Sequence, residues 1–169
     1  MPEQEAAKLE PTDGPHHPLH DTLLDRLVGA SQVTGTIAGR PAEQTCDVEW
    51  VLNHQFLRIH FLGMRPATAA GGGAPVQYEA FVFVGYSNMF DHYVVHWLDI
   101  FGGHFSRTLG FGERLEGGNA IRFVFEADTP LHNTITWHPE AGTWEMLIRQ
   151  KDEHGRWTTF GERHFVKLR

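Results

Sequence analysis

The chain has 169 residues, 41% of them hydrophobic and 21% charged, with a formal net charge of −7. A chain of this length is expected to form one domain that buries roughly 70% of its unfolded surface. The acidic balance argues against a nucleic-acid partner, and no apolar stretch approaches the roughly 20 residues of a membrane span. The polar N-terminus does not fit a signal peptide, and the single cysteine, Cys46, indicates a reducing compartment such as the cytoplasm.

The first segment, residues 1–20, is polar and rich in proline, so it predicts a flexible N-terminal arm before a domain that spans residues 21–169. The stretch HDTLLDRLVG then predicts a helix of about two turns. Asp21 or Thr22 is its expected N-cap, and Gly29 stands where the helix should end.

After this helix the hydrophobic period changes to two, and turn signals separate about ten short strand candidates. They are Gln32–Ile37, Glu43–Leu52, Phe56–Leu62, Val76–Tyr86, His92–Asp99, His104–Phe111, Ala120–Glu126, His132–Trp137, Trp144–Gln150 and Thr158–Leu168. This pattern predicts an all-β fold, an antiparallel barrel of about ten strands that closes its own edges and can enclose a small ligand. A β-sandwich is the competing architecture.

Several segments resemble a family of lipocalin-like (calycin) barrels of unknown function. They include EWVLNHQFLRIHF, YEAFVFVGYSNMFDHYVVHWLDIFGGHFSRTLGFG, IRFVFE and HNTITWHPEAGTWEMLIRQKDEHGRWTTF. The similarity runs from about Leu24 to Arg169 and implies a lipocalin-like barrel, without implying an activity.

More distant relatives of this family are the nitrobindin-like haem barrels and the fatty-acid-binding proteins. Nitrobindins begin with a G-x-W-x-G-x-G motif, whereas this chain has Ser31 at the tryptophan position and Val33 at the second glycine position. They also carry a haem-ligating histidine in the last strand, where this chain has His164. The resemblance therefore implies haem ligation by His164 as one alternative, while no cofactor is expected otherwise.

The stretch HYVVHWLDIFGGHFSRTLG has the residue types of a metal site and of a catalytic triad. His92 and His96 lie in a predicted strand, where four residues span about 13 Å, too far for one metal ion to bridge. In a strand, His104 and Ser106 lie about 6.5 Å apart, whereas a nucleophile and its base need about 2.6–3.2 Å. The spacing thus excludes both kinds of site, and no metal site is predicted.

The same stretch also fits a hairpin whose turn is formed by Gly102 and Gly103, both expected at positive φ. In that register Trp97 lies opposite Thr108, and Asp99 lies opposite Ser106. One face of the hairpin then combines aromatic, hydroxyl and acidic side chains, as the wall of a ligand pocket does. The opposite face, with His96 and Arg107, is expected to reach water, whereas a register slip of one residue would exchange the two faces.

Alternation in the other strands adds to this candidate cavity. Glu162 in the last strand and Phe123 are predicted to point inward, and an inward acid needs a partner, for which Arg58, His60 and His164 are candidates. The ligand-binding set predicted from the sequence is therefore Trp97, Asp99, His104, Ser106, Thr108, Phe123, Glu162, Arg58 and His60.

Three functional hypotheses follow from these residues. The first is binding of a small, largely apolar molecule in the barrel, with the acids holding its polar end. The second is an enzyme in which Asp99 or Glu162 works with a histidine in acid–base catalysis. The third is haem binding through His164. Neither a nucleic-acid nor a membrane partner is expected, and a homodimer is left open.

Overall fold

A computed structural model describes residues 18–65, 76–104, 107–126 and 130–169. The described chain forms a short 3₁₀ helix, Leu24–Leu27, followed by strands. The strands are β1 (Gly29–Ile37), β2 (Arg40–Val51), β3 (Phe56–Arg65), β4 (Val76–Ser87), β5 (His92–Asp99), β6 (Leu109–Arg114), β7 (Ala120–Phe125), β8 (Leu131–His138), β9 (Thr143–Lys151) and β10 (Trp157–Lys167).

The strands form one closed antiparallel barrel. Each strand pairs with the next along the chain, and β10 closes the sheet by pairing with β1. Among the ten described strands, closure leaves no edge strand with unpaired backbone groups, which is the physical advantage expected for a sheet of this many strands. The predicted all-β barrel is confirmed, and the sandwich alternative is wrong.

The interior follows from the alternation of apolar and polar residues along each strand. In β3, Leu57, Ile59 and Phe61 are buried between less buried neighbours, and in β7 the buried row includes Ile121 and Phe123. Because successive side chains point to opposite faces, these rows meet inside the barrel and form its core.

The segment before β1 closes one end of the barrel, here called the capped end. The N-cap position of the 3₁₀ helix is Leu23, so neither Asp21 nor Thr22 is its N-cap as predicted. The Asp21 carboxylate nevertheless accepts hydrogen bonds from the N–H groups of Leu23 and Leu24 at the start of the helix. Leu23, Leu24 and Leu27 are buried. The predicted two-turn helix is wrong in length: Val28 is already extended (φ −54, ψ 133) because the chain turns directly into β1.

Contacts from the barrel hold this cap in place. The Trp50 indole N–H donates to the Asp25 carboxylate at 2.8 Å, and the Trp144 indole N–H donates to the Arg26 carbonyl at 3.3 Å. Leu19, near the end of the predicted arm, donates its N–H to the His54 carbonyl. The rest of that arm, residues 1–17, lies outside the described residues. In the described part of the chain, no helix is both long and apolar enough to cross a membrane.

The hairpin between β5 and β6 has the predicted register. His96 pairs with Leu109, and the Trp97 N–H donates to the Thr108 carbonyl at 2.7 Å. The predicted start of the sixth strand at His104 is wrong, since β6 begins at Leu109. Residues 105 and 106 lie outside the described residues. The turn also differs from the expectation, because only Gly102 of the glycine pair has positive φ, at +60°.

This difference gives a test of the turn. Gly102→Ala should lower the free energy of unfolding by about 1–2 kcal/mol, because an L-residue in the left-handed region carries that cost. Gly103→Ala is the matched control, since a Cβ there meets no atom within 4 Å. Denaturant unfolding of both variants measures the difference, and equal effects would show that the turn does not have this conformation.

Candidate binding site in the barrel interior

Three of the predicted site residues lie on the inner face of the β5–β6 hairpin. Trp97 packs against the buried core, and its ring stacks on Phe61 with centroids 5.8 Å apart. Asp99 ends β5, and its carboxylate accepts a hydrogen bond from the Phe101 N–H at 2.9 Å. Thr108, opposite Trp97, is half-buried. The structure therefore brings Trp97, Asp99 and Thr108 to one wall of the interior.

The remaining predicted residues of this region are dispersed. His104 is exposed in the turn between β5 and β6, and Ser106 lies outside the described residues. Phe123 is buried, with its ring directly under Gly112, where a Cβ would lie 2.5 Å from the ring. Phe123 is thus an inward residue that packs tightly in the core.

Arg58 and His60 lie on the outer face of β3, which corrects their predicted inward orientation. Arg58 forms a 2.6 Å ion pair with Glu49, and the His60 imidazole lies 2.8 Å from the Glu79 carboxylate. The physical reason lies in the alternation of β3. Burying its apolar residues is favourable, whereas burying the arginine and the histidine at the intervening positions would cost free energy.

Glu162 was also predicted to point inward, and this orientation is wrong. Its carboxylate lies on the outer surface, 3.1 Å from His164, whose side chain is 50% exposed. The inward positions of β10 are Gly161, Arg163 and Phe165. Because His164 points away from the interior, its placement does not fit a haem group enclosed by the barrel.

The interior position next to Glu162 is occupied by Arg163, which sequence reasoning missed. Its side chain is buried, with 4% relative exposure, although an arginine is almost never fully buried unless it is paired. The guanidinium carbon lies 5.1 Å from the Phe61 ring centroid and 5.7 Å from that of Trp97. The sequence sign was that Arg163 shares its strand face with Phe165.

The charge of Arg163 is only partly compensated. Burial lowers the pKa of its guanidinium, while the nearby Tyr78 hydroxyl and the more distant Asp99 oppose that effect. Nη1 contacts the Met146 sulfur at 3.7 Å, a weak acceptor. No described carboxylate forms an ion pair with Arg163, and its Nε has no hydrogen-bond partner among the described residues. Arginine nevertheless stays protonated in proteins, so this is a buried positive charge.

Other buried polar atoms face the same interior. Gln44 and Asn133 occupy inward positions of β2 and β8 and are 8% and 4% exposed. Within the described part of the chain, Gln44 Oε1 and Asn133 Oδ1 have no hydrogen-bond partner. Buried polar groups are normally satisfied, so these two side chains, like Arg163, are unusual components of an otherwise apolar interior.

Acid–base or nucleophilic catalysis would draw on side chains such as the histidines and Cys46. The histidines of the described strands, His60, His92, His96, His132, His138 and His164, all lie on outward positions. Burial raises the pKa of Cys46 to about 12, so its thiol stays protonated at neutral pH and is a poor nucleophile.

A concavity of about 560 Å³ lies beside the capped end, outside the interior described above, and is lined by residues such as Tyr86, Asp91 and His92. At its edge the Tyr93 hydroxyl donates to the Asp21 carboxylate at 2.5 Å, and Arg114 forms a 2.6 Å ion pair with it. Burial of Asp21 alone would raise its pKa. The hydrogen bonds from Tyr93, Leu24 and Leu23 and the charge of Arg114 outweigh it and hold the pKa below its ordinary value. These groups satisfy one another, so they serve to anchor the cap.

Comparison with known proteins does not assign this chain to a family. No protein-family model matches the chain, and no curated protein matches it.

Proposed function

We propose that this protein binds a small, largely apolar molecule with an anionic end inside its barrel, and that Arg163 holds the anion. The observation that carries the proposal is the buried guanidinium of Arg163, which faces aromatic rings and forms no ion pair with a described carboxylate. A desolvated arginine binds a carboxylate or phosphate strongly, because its planar group presents several N–H donors in fixed directions.

The aromatic lining supports the apolar part of this ligand. Trp97 and Phe61 stack beside Arg163, and Tyr78 adds a hydroxyl at the same place. Binding sites for small molecules combine such apolar surface with a few polar groups that fix orientation. The sign of the proposed ligand charge differs from the sequence-based hypothesis, in which Asp99 and Glu162 held the polar end, because the buried charge is an arginine and Glu162 lies outside.

The resemblance to lipocalin-like barrels leads to the same expectation, since barrels of this size can enclose one small ligand. The single cysteine is consistent with a protein that works in a reducing compartment such as the cytoplasm.

A pair of probes that differ only in charge tests the proposal. Calorimetric titration of the full chain with decanoate and with decanol should show that decanoate binds at least about tenfold more tightly, a difference of about 1.4 kcal/mol. Arg163→Met should remove that preference, because methionine keeps the apolar volume and loses the charge.

Arg58→Met is the matched control, since Arg58 lies on the outer surface in an ion pair with Glu49. It should bind both probes as the unaltered protein does. Equal affinities for decanoate and decanol in the unaltered protein would refute the proposal, as would a preference for decanoate that survives in Arg163→Met.

A further inference from the structure

Four potential metal-ligand side chains converge on the outer surface of three neighbouring strands. They are His138 in β8, Glu145 in β9, and Glu162 and His164 in β10. Register explains the convergence: Glu145 pairs directly with His164, and Glu162 lies two residues earlier on the same face of β10. Side chains directly opposite each other on neighbouring antiparallel strands have Cβ atoms about 4.5–5.5 Å apart, so their polar ends can meet.

The ligand atoms already lie close together. The His164 Nε2 atom lies 3.1 Å from a Glu162 oxygen, and its Nδ1 lies 3.8 Å from a Glu145 oxygen. Ligand atoms of Glu145, Glu162 and His164 all fall within 4.8 Å of one another. On the other side of Glu145, the His138 Nε2 lies 3.7 Å from the same carboxylate.

These separations match the size of a metal coordination shell. Zinc binds histidine nitrogen and carboxylate oxygen at about 2.0–2.2 Å, and in a tetrahedron neighbouring ligand atoms then lie about 3.3–3.6 Å apart. Small side-chain rotations would therefore bring one nitrogen of His164 and both carboxylates onto one ion. His138 can supply the fourth ligand, and two carboxylates neutralise the charge of a divalent ion.

We propose that Glu145, Glu162, His164 and His138 form a surface site for a divalent transition-metal ion of the zinc class. The imidazole ligands favour such an ion over magnesium or calcium, which prefer oxygen ligands alone. The side chains are between one third and one half exposed, so the ion reaches them directly from solvent. This site is independent of the ligand proposed for the interior.

The chain offers a matched control on another part of the outer surface. His60 and Glu79 also place an imidazole 2.8 Å from a carboxylate on neighbouring strands. Among the described residues, however, only Glu145, Glu162 and His164 form a group of at least three metal-ligand side chains with atoms this close. A histidine–carboxylate pair alone binds metal weakly, so His60→Gln should leave binding by the protein unchanged.

The test is calorimetric titration of the chelator-treated full chain with zinc chloride. We expect saturable binding of a single ion, weakened at least about tenfold, or about 1.4 kcal/mol, by Glu145→Gln and by His164→Gln. His138→Gln should weaken binding less, and magnesium chloride should give no saturable signal. With cobalt chloride, the visible absorption of tetrahedral Co²⁺ should appear in the unaltered protein and in His60→Gln.

The visible absorption of bound Co²⁺ distinguishes one defined metal site from weak binding by separate surface histidines. Loss of the Co²⁺ signal in Glu145→Gln and His164→Gln, with unchanged circular dichroism, supports the site. Zinc affinity that is the same in the unaltered protein and in both of these variants overturns it, and shows that the four side chains form only a surface ion-pair network. The same conclusion follows if zinc produces no saturable binding at all.

Discussion

Asp21→Ala is expected to lower the free energy of unfolding by about 3 kcal/mol, since three interactions are lost together. The Asp21 carboxylate accepts hydrogen bonds from the N–H groups of Leu23 and Leu24 and from the Tyr93 hydroxyl, and it pairs with Arg114. Removing the carboxylate leaves the buried Tyr93 hydroxyl and a partly buried guanidinium without their common acceptor. Such unsatisfied groups cost more than the hydrogen bonds themselves contribute.

Thr22→Ala is the control for this prediction, because Thr22 is the neighbouring candidate cap and its side chain is exposed. It should change the free energy of unfolding by less than about 0.5 kcal/mol in denaturant unfolding. If Asp21→Ala and Thr22→Ala had similar small effects, the cap would not be anchored through Asp21.

The pH dependence of this effect follows from the lowered pKa of Asp21. A carboxyl whose folded pKa lies below its unfolded value contributes its full stabilisation above the unfolded value, and loses it as the pH falls through the folded value. The difference in stability between the unaltered protein and Asp21→Asn should therefore be largest near pH 7. It should shrink below the ordinary aspartate pKa of about 3.9. A difference that grows on acidification would contradict the assigned role.

The barrel could be predicted from the sequence because its signals are local and repeated. Alternation sets the strands, and turn residues separate them, so β5 has the predicted bounds His92–Asp99. The register of the hairpin was predicted from a two-residue loop at the glycine pair, because such a loop fixes which residues lie opposite each other. The strands pair in this register, with His96 opposite Leu109, although β5 ends at Asp99 and β6 begins only at Leu109. That register placed Trp97 and Asp99 correctly on the inner face.

The inner face of β10 could not be read in the same way. In a strict alternation Phe160 and Val166 share one face and Phe165 lies on the other, so apolar residues alone do not decide the orientation. In the structure Phe160 packs against the core, whereas Val166 is 55% exposed. The register also shifts between Thr159 and Gly161, which interrupts a simple alternation. Moreover, patterning rules place charged residues outside, and the strand face that Arg163 shares with Phe165 is too weak a signal to show that the barrel buries Arg163 rather than Glu162.

The convergence of Glu145, Glu162 and His164 could not be predicted from the sequence for a related reason. Glu145 and His164 are far apart in sequence and meet only because β9 and β10 pair in one particular register. Spacing along a single strand, which excluded His92 and His96 as a pair, carries no information about ligands on neighbouring strands.

Arg163→Met is expected to raise the free energy of unfolding of the ligand-free protein by about 2 kcal/mol. A buried charge without an ionic partner carries a desolvation cost of several kcal/mol, and apolar replacements of buried charges often stabilise by about 1–4 kcal/mol. Loss of the ring contacts with Phe61 and Trp97 opposes this gain by about 1 kcal/mol each. Methionine is flexible enough to fill the vacated space beside Met146.

Comparison with Arg58→Met isolates the contribution of burial. Arg58 is an outer-surface arginine that already pairs with Glu49, so its replacement should change stability by less than about 1 kcal/mol and should not stabilise. Thermal and denaturant unfolding of both variants, with and without decanoate, measure the two effects.

Decanoate should raise the melting temperature of the unaltered protein and of Arg58→Met, but not that of Arg163→Met, because ligand binding stabilises only the state that binds it. A more stable variant that no longer responds to decanoate would show that the barrel retains Arg163 at a cost in stability because it binds an anion. If Arg163→Met instead lost more than about 1 kcal/mol, the guanidinium would be a structural contact of the core, beyond the usual effect of a neutral replacement.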